Sequence, residues 1–212
     1  DLAVKEGKTE KALSLYENLR KWELPEDLME TIEFRQAEVY LFRDEYKEAV
    51  GRFRQIISRY PRGLYVNDAI QYSLIIDEAQ EEAPDQIDLF SSAEYYRYLG
   101  QDDSLEYYLN RICRVGIPSL APVSYLSLAE LYYRQNRFDE SMAAIDSLAT
   151  LYPESYYFPY GLKLKADILL EDENGREQAM ALYRELLEDY RTYPFAAEIR
   201  QIIRKEKPAS QI

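Results

Sequence analysis

Residues 37–61, AEVYLFRDEYKEAVGRFRQIISRYP, are echoed by residues 129–153, AELYYRQNRFDESMAAIDSLATLYP. Ala37, Tyr40, Tyr46, Phe53, Ile56, Tyr60 and Pro61 return as Ala129, Tyr132, Phe138, Ile145, Leu148, Tyr152 and Pro153, all displaced by the same 92 residues that separate 37 from 129. Within each copy a small residue is followed three positions on by an aromatic, then by a second apolar set that ends on Tyr-Pro. That is the spacing of two amphipathic antiparallel helices. The chain therefore reads as an array of helical repeats, each burying its apolar face against its neighbours.

Composition narrows the functional classes. The 212 residues carry 39 acidic and 26 basic side chains, a net charge of −13 and a pI near 4.6. Such a surface repels a phosphate backbone or an anionic membrane, which argues against nucleic acid as a partner. The longest apolar runs, such as Ile168 to Leu170, fall far short of the ~18 residues a membrane-spanning helix needs, so no direct membrane insertion is expected. Histidine is absent, which removes the commonest general base and transition-metal ligand. The single cysteine, Cys113, sits among Ile112 and Val115 and reads as a small buried apolar residue. No Gly-rich phosphate loop, Cys-x-x-Cys pair or Gly-x-Ser-x-Gly elbow is present. Catalytic residues, cofactors and metal ligands are accordingly not expected. Asp102-Asp103 and Glu171-Asp172-Glu173 read as solvated acids, the first beginning a helix and the second lying at a turn.

Along the chain, Lys8 to Arg20 forms a first helix with Thr9 as its cap, and Glu26 to Phe42 a second that follows Pro25. Asp44 and Glu45 start a third, which Pro61 stops. The same grammar returns in Val123 to Arg134, Phe138 to Leu151, Tyr157 to Leu170 and Arg176 to Tyr190, with Asn174-Gly175 turning between the last two. Phe195 to Lys205 reads as a terminal capping helix whose basic residues solvate its back, before a frayed tail at 208–212. The middle, 64–116, is irregular. It shows three helical patterns, Tyr65 to Ala79, Ile87 to Leu99 and Ser104 to Val115, where regular pairs need an even number. One helix is unpaired there or the array changes direction, and Glu81-Glu82-Ala83-Pro84-Asp85 marks the break. The expected organisation is one continuous array over 1–207 with about five repeats.

Ala37, Tyr40, Ala49, Phe53 and Pro61 resemble the small, aromatic, alanine, aromatic, proline pattern of the tetratricopeptide repeat, and Ala129, Tyr132, Ser141, Ile145 and Pro153 follow closely. Weaker copies run through Ala93, Tyr96, Leu105 and Leu109 and through Ala179, Tyr183 and Leu186, where Arg191 stands in place of the proline. The resemblance implies an all-α fold, a right-handed α-α superhelix of antiparallel helix pairs. Aligned this way, Ala12 matches Ala49 and Ala3 falls at the Tyr40 place, so the chain reads as beginning inside a repeat, as a segment of a longer protein. The Tyr-Pro endings are similar to bacterial repeat proteins of the outer-membrane-assembly and Tol-Pal type. That likeness implies a periplasmic or other extracytoplasmic location, with the cytoplasm as the alternative.

The family binds partners in a concave groove lined by the first helix of each repeat. Carried over, the resemblance places Thr31, Phe34, Arg35, Glu38, Leu41 and Phe42 there in one repeat, and Val123, Leu126, Ser127, Glu130, Tyr133 and Arg134 in the other. Aromatics and arginine are the residues that anchor interfaces, so these positions form a candidate groove for a protein or peptide with basic or apolar contacts. Phe34, Leu41 and Phe42 fit a packing role as well, since apolar residues at helical spacing mostly face the core. Family members that grip a peptide carboxylate use Lys and Asn where this chain has Phe34 or Leu126 and Glu38 or Glu130, so a carboxylate clamp is rejected. The 21 tyrosines include Tyr95-Tyr96, Tyr107-Tyr108 and Tyr156-Tyr157, of which at most some share a helix face. The expected function is a non-enzymatic interaction scaffold; the alternative is a structural spacer or oligomerisation segment whose groove is filled by its own chain or a sister copy.

Overall fold

The computed structural model describes residues 1–206; the tail expected at 208–212 lies outside them. Among the described residues the secondary structure is helical throughout, and consecutive helices pack in pairs. Contacts gather into two compact units, Asp1–Ala121 and Pro122–Ile212.

The first unit holds α1 (Leu2–Lys5), α2 (Thr9–Leu19), α3 (Glu26–Phe42), α4 (Tyr46–Arg59), α5 (Val66–Glu82), α6 (Ile87–Leu99) and α7 (Asp102–Val115). One turn chemistry closes three hairpins in it. Gly7, Asp44 and Gly100 adopt positive φ of 71°, 59° and 68°. The next amide in each case reaches back across the helix end: Lys8 to the Ala3 carbonyl, Glu45 to Tyr40 and Gln101 to Tyr96, at 2.8, 3.0 and 3.0 Å. These are Schellman closures, which satisfy carbonyls that a helix end would otherwise leave bare. They define the pairs α1–α2, α3–α4 and α6–α7, and they leave α5 as the odd helix. It packs on α4.

One sequence expectation shifts at this level. Thr9 is not a cap: α2 begins on it after Lys8, and its hydroxyl accepts from Arg43 Nη1 at 3.1 Å. The start of α5 is capped from a distance, by the buried Glu30 carboxylate, which accepts from the Leu64 and Tyr65 amides at 3.0 and 2.7 Å. A carboxylate there also meets the positive end of the helix dipole.

The second unit contains α8 (Ala121–Arg134, all but its first residue), α9 (Phe138–Leu151), α10 (Phe158–Glu171), α11 (Arg176–Asp189) and α12 (Ala196–Glu206). Asn136, at φ 59°, closes α8–α9 with the Arg137 amide on the Tyr132 carbonyl at 2.9 Å. The α10–α11 connection differs, using a single 3-10 turn, Glu173–Gly175, in which Asp172 accepts from the Asn174 amide at 3.0 Å. A Cβ on Gly175 would run into the Leu169 carbonyl oxygen, which explains the glycine. Helices approach closely where small residues stand: Ala37, Ala49, Ala129 and Ser141 are all fully buried. Ser141, in the place of Ala49, sends its hydroxyl to the Ala129 carbonyl at 2.8 Å. On α12, Ile199 is buried with Phe195 against Tyr183 and Leu186, while Arg200, Arg204 and Lys205 are exposed.

Candidate interaction surfaces

In the first unit, the α3 face expected to line a groove is covered by α6, a helix of the same chain. Ser91 on α6 donates to the Leu41 carbonyl at 2.8 Å, and Tyr95 reaches the Val4 carbonyl at 3.4 Å. The Phe42 ring lies 5.4 Å from Tyr95 and 5.5 Å from Tyr98. Leu41 is fully buried. Phe34, 3 % exposed, stacks on Tyr65 at 4.4 Å and packs against Phe53 and Tyr72, the packing alternative set beside its groove role. Thr31 is half-buried and spends its hydroxyl on the Asp27 carbonyl.

Arg35 and Glu38 do come together, 2.6 Å apart, with the Arg35 guanidinium 6.0 Å from the Tyr65 ring and 5.7 Å from Tyr98. From α6, Glu94 pairs with Arg97 at 3.2 Å and accepts from the Tyr72 hydroxyl at 2.7 Å. Arg35, Glu38, Tyr72, Glu94, Arg97 and Tyr98 line, with Asp1 and Lys5, a cavity of about 340 Å³. Burial pushes the Glu38 carboxyl up to about 7, a rise that Arg35 opposes and that Glu94 and Asp68 reinforce. Burial and the same Glu94 raise the Tyr72 hydroxyl well above its usual value. Sequence reasoning found Arg35 and Glu38 and missed Tyr72, Glu94 and Arg97, because only the return of α6 onto α3 assembles them.

In the second unit the corresponding α8 residues are more open. Glu130 and Arg134 are exposed, Val123 and Tyr133 are half-buried, and Leu126 and Ser127 are buried beneath them. The Tyr133 ring packs on Phe138 at 5.8 Å, and its hydroxyl lies 3.5 Å from Glu171. Burial first, then Glu171 and Asp167, raise its pKa. On α10, Lys163 bridges Asp167 at 2.8 Å and Glu198 at 3.0 Å, and Tyr183 donates to Asp167 at 2.6 Å. The i,i+4 spacing of Lys163 and Asp167 was a readable signal for this ion pair.

Asp102 and Asp103 open α7, and Asp172 caps the 3-10 turn. Among the described residues no group of three or more His, Cys, Asp or Glu is placed to hold a metal ion, and no helix is long and apolar enough to cross a membrane. Cys113 is a half-buried thiol that burial pushes up to about 12, far from a reactive thiolate.

Hairpins closed by one turn motif, with alanines at the helix crossings and aromatics wedged beside them, define an all-α helical-repeat protein. The family model of the tetratricopeptide repeat matches residues 33–62 and 124–155, the α3–α4 and α8–α9 hairpins, and over them the chain is similar to that family. Proteins built from this repeat mediate protein–protein interaction and form a class of non-enzymatic scaffolds. The match is to the repeat in general and does not extend to the narrower Tol-Pal-like periplasmic group. Comparison with curated proteins gives no match.

Proposed function

We propose that the chain is a non-catalytic protein-interaction scaffold whose second unit meets the partner through Glu130, Tyr133 and Arg134, with Leu126 behind them. One observation carries the reading: the equivalent α3 face is occupied by α6, whereas Glu130 and Arg134 stand in solvent. Arg35, Glu38 and Phe42 then serve the fold, and a partner with basic or apolar contacts fits what is left open. Rim charges of this kind set on-rate and specificity, so association weakens as salt rises.

The test is capture from a native extract on the immobilised chain, beside a Glu130→Arg/Tyr133→Ala/Arg134→Glu variant whose helicity and unfolding midpoint match the parent. A protein retained by the parent and lost by the variant supports the reading. Equal retention, or no retention by either folded protein, overturns it. The same α6 contact favours a second reading, a structural segment whose groove is filled by its own chain; a mass that rises with concentration in sedimentation supports that reading in its oligomerising form.

A further inference from the structure

The turns that lead from one repeat to the next share their aromatics: Tyr60 to Tyr65, Tyr152 to Tyr157, and Tyr190 to Phe195. In the first turn, arginines of the chain itself lie against the rings. Arg59 sits 5.3 Å from the Tyr60 centroid, and the Arg35 guanidinium lies 6.0 Å from Tyr65 and 5.7 Å from Tyr98 while its Nη1 donates to Glu38. Arg52 on Tyr40, Arg111 on Tyr107 and Arg137 on Tyr132 repeat the pairing. The recurring arrangement is a tyrosine face with an arginine against it and, at Arg35, a carboxylate alongside.

The other two turns come together in the second unit. The Tyr156 and Tyr193 rings stack with centroids 5.6 Å apart, and Tyr160 closes the third side at 5.5 and 5.4 Å. The Tyr156 and Tyr160 hydroxyls share a hydrogen bond of 2.9 Å, and Tyr193 donates to the Tyr156 carbonyl at 3.4 Å. Buried Phe195 forms the floor, 5.3 Å from Tyr160. These contacts hold the rings in place before any ligand arrives, which lowers the ordering cost of binding. Tyr156 is nevertheless 59 % exposed. Carboxylates border the cluster: Glu154 is exposed two residues from Tyr156, and with Asp189 and Glu185 it acts on Tyr190, whose ring is 5.5 Å from Tyr193. The arginine of this turn, Arg191, is directed to the Glu188 carbonyl at 3.2 Å.

We propose that the Tyr156–Tyr160–Tyr193 cluster, with Glu154 at its edge, is a docking site for an arginine side chain on a basic segment of a partner protein. A guanidinium is planar and weakly hydrated, so it stacks on a tyrosine face and still donates to a carboxylate. An ammonium gives up more hydration to do so. The net charge of −13 attracts a basic segment over longer range. The site stands apart from the α8 residues and does not depend on what they bind.

The experiment titrates the intact chain with a blocked Gly-Arg-Gly-Arg-Gly peptide, following the tyrosine ring signals by NMR, with lysine-substituted and proline-rich peptides of equal length in parallel. The arginine peptide is expected to bind at least about tenfold more tightly than either. Tyr156→Ala, a change at an exposed side chain, weakens it about tenfold; Tyr156→Phe retains it, and Glu154→Gln reduces its salt dependence. Equal affinity for arginine and lysine peptides overturns the proposal in favour of general acidic attraction. Preference for the proline-rich peptide, unchanged binding by a helical Tyr156→Ala protein, or no binding of the arginine peptide overturns it as well.

Discussion

Glu38 and Glu94 face one cavity from α3 and α6, yet the arginine that pairs with each stands on its own helix, Arg35 at 2.6 Å and Arg97 at 3.2 Å. Neither of these two ion pairs runs between the helices. Burial above all, with Glu94 and Asp68 adding repulsion against the pull of Arg35, makes Glu38 hold its proton to about 7, against 4.5 for an ordinary glutamate. The native state binds a proton that the unfolded chain has released, so this stabilisation is full below 4.5 and is lost as pH rises through 7. Glu38→Gln should remove that dependence. Its unfolding free energy from urea titration should gain on the parent's between pH 5 and pH 8, by an amount on the order of 2–3 kcal/mol. Ala129 makes a second case at this scale. It is fully buried, with the Ser141 hydroxyl on its carbonyl, so Ala129→Leu should cost roughly 1–3 kcal/mol by overpacking, read from thermal unfolding. Small residues at helix crossings were legible in the sequence because only they allow that approach; the raised Glu38 was not, because its burial depends on residues about 55 positions away.

Local rules placed most helices well. The spans of α3, α6 and α9 coincide with those read from apolar spacing and their flanking Pro, Gly and acidic residues. Thr9 was misread as a cap because a hydroxyl at a helix start suits that role, whereas here it serves as acceptor for Arg43. The closures after α1, α3, α6 and α8 share a left-handed residue, yet it is Gly7 or Gly100 in two and Asp44 or Asn136 in the others. Left-handed backbone suits glycine best and Asn or Asp next. Asn136→Gly should accordingly be neutral or slightly stabilising, while Gly100→Val should destabilise by about 1–2 kcal/mol, both measured by denaturant unfolding.

At the scale of the molecule, the decisive event in the first unit is the docking of α6 on α3, which engages Phe42, the Leu41 carbonyl and the inner charges at once. Phe42→Ala should loosen that contact and raise amide hydrogen exchange along α6 more than along α4, which packs on the other side of the hairpin with Phe53 fully buried. Unchanged protection in α6 would show that the Ser91 and Tyr95 hydrogen bonds and the 6.2 Å ring contact of Phe90 with Tyr72 on α5 suffice. Helix positions, hairpin turns and the repeat itself follow from residue order alone, since each depends on neighbours within a few turns of the chain. The pairing of α6 with α3, the covered first face, the open α8 residues and the tyrosine cluster at Tyr156 and Tyr193 arise only in the folded chain. They join residues about 35 to 55 positions apart, and the gain from burying them together appears only once intervening helices have set their directions.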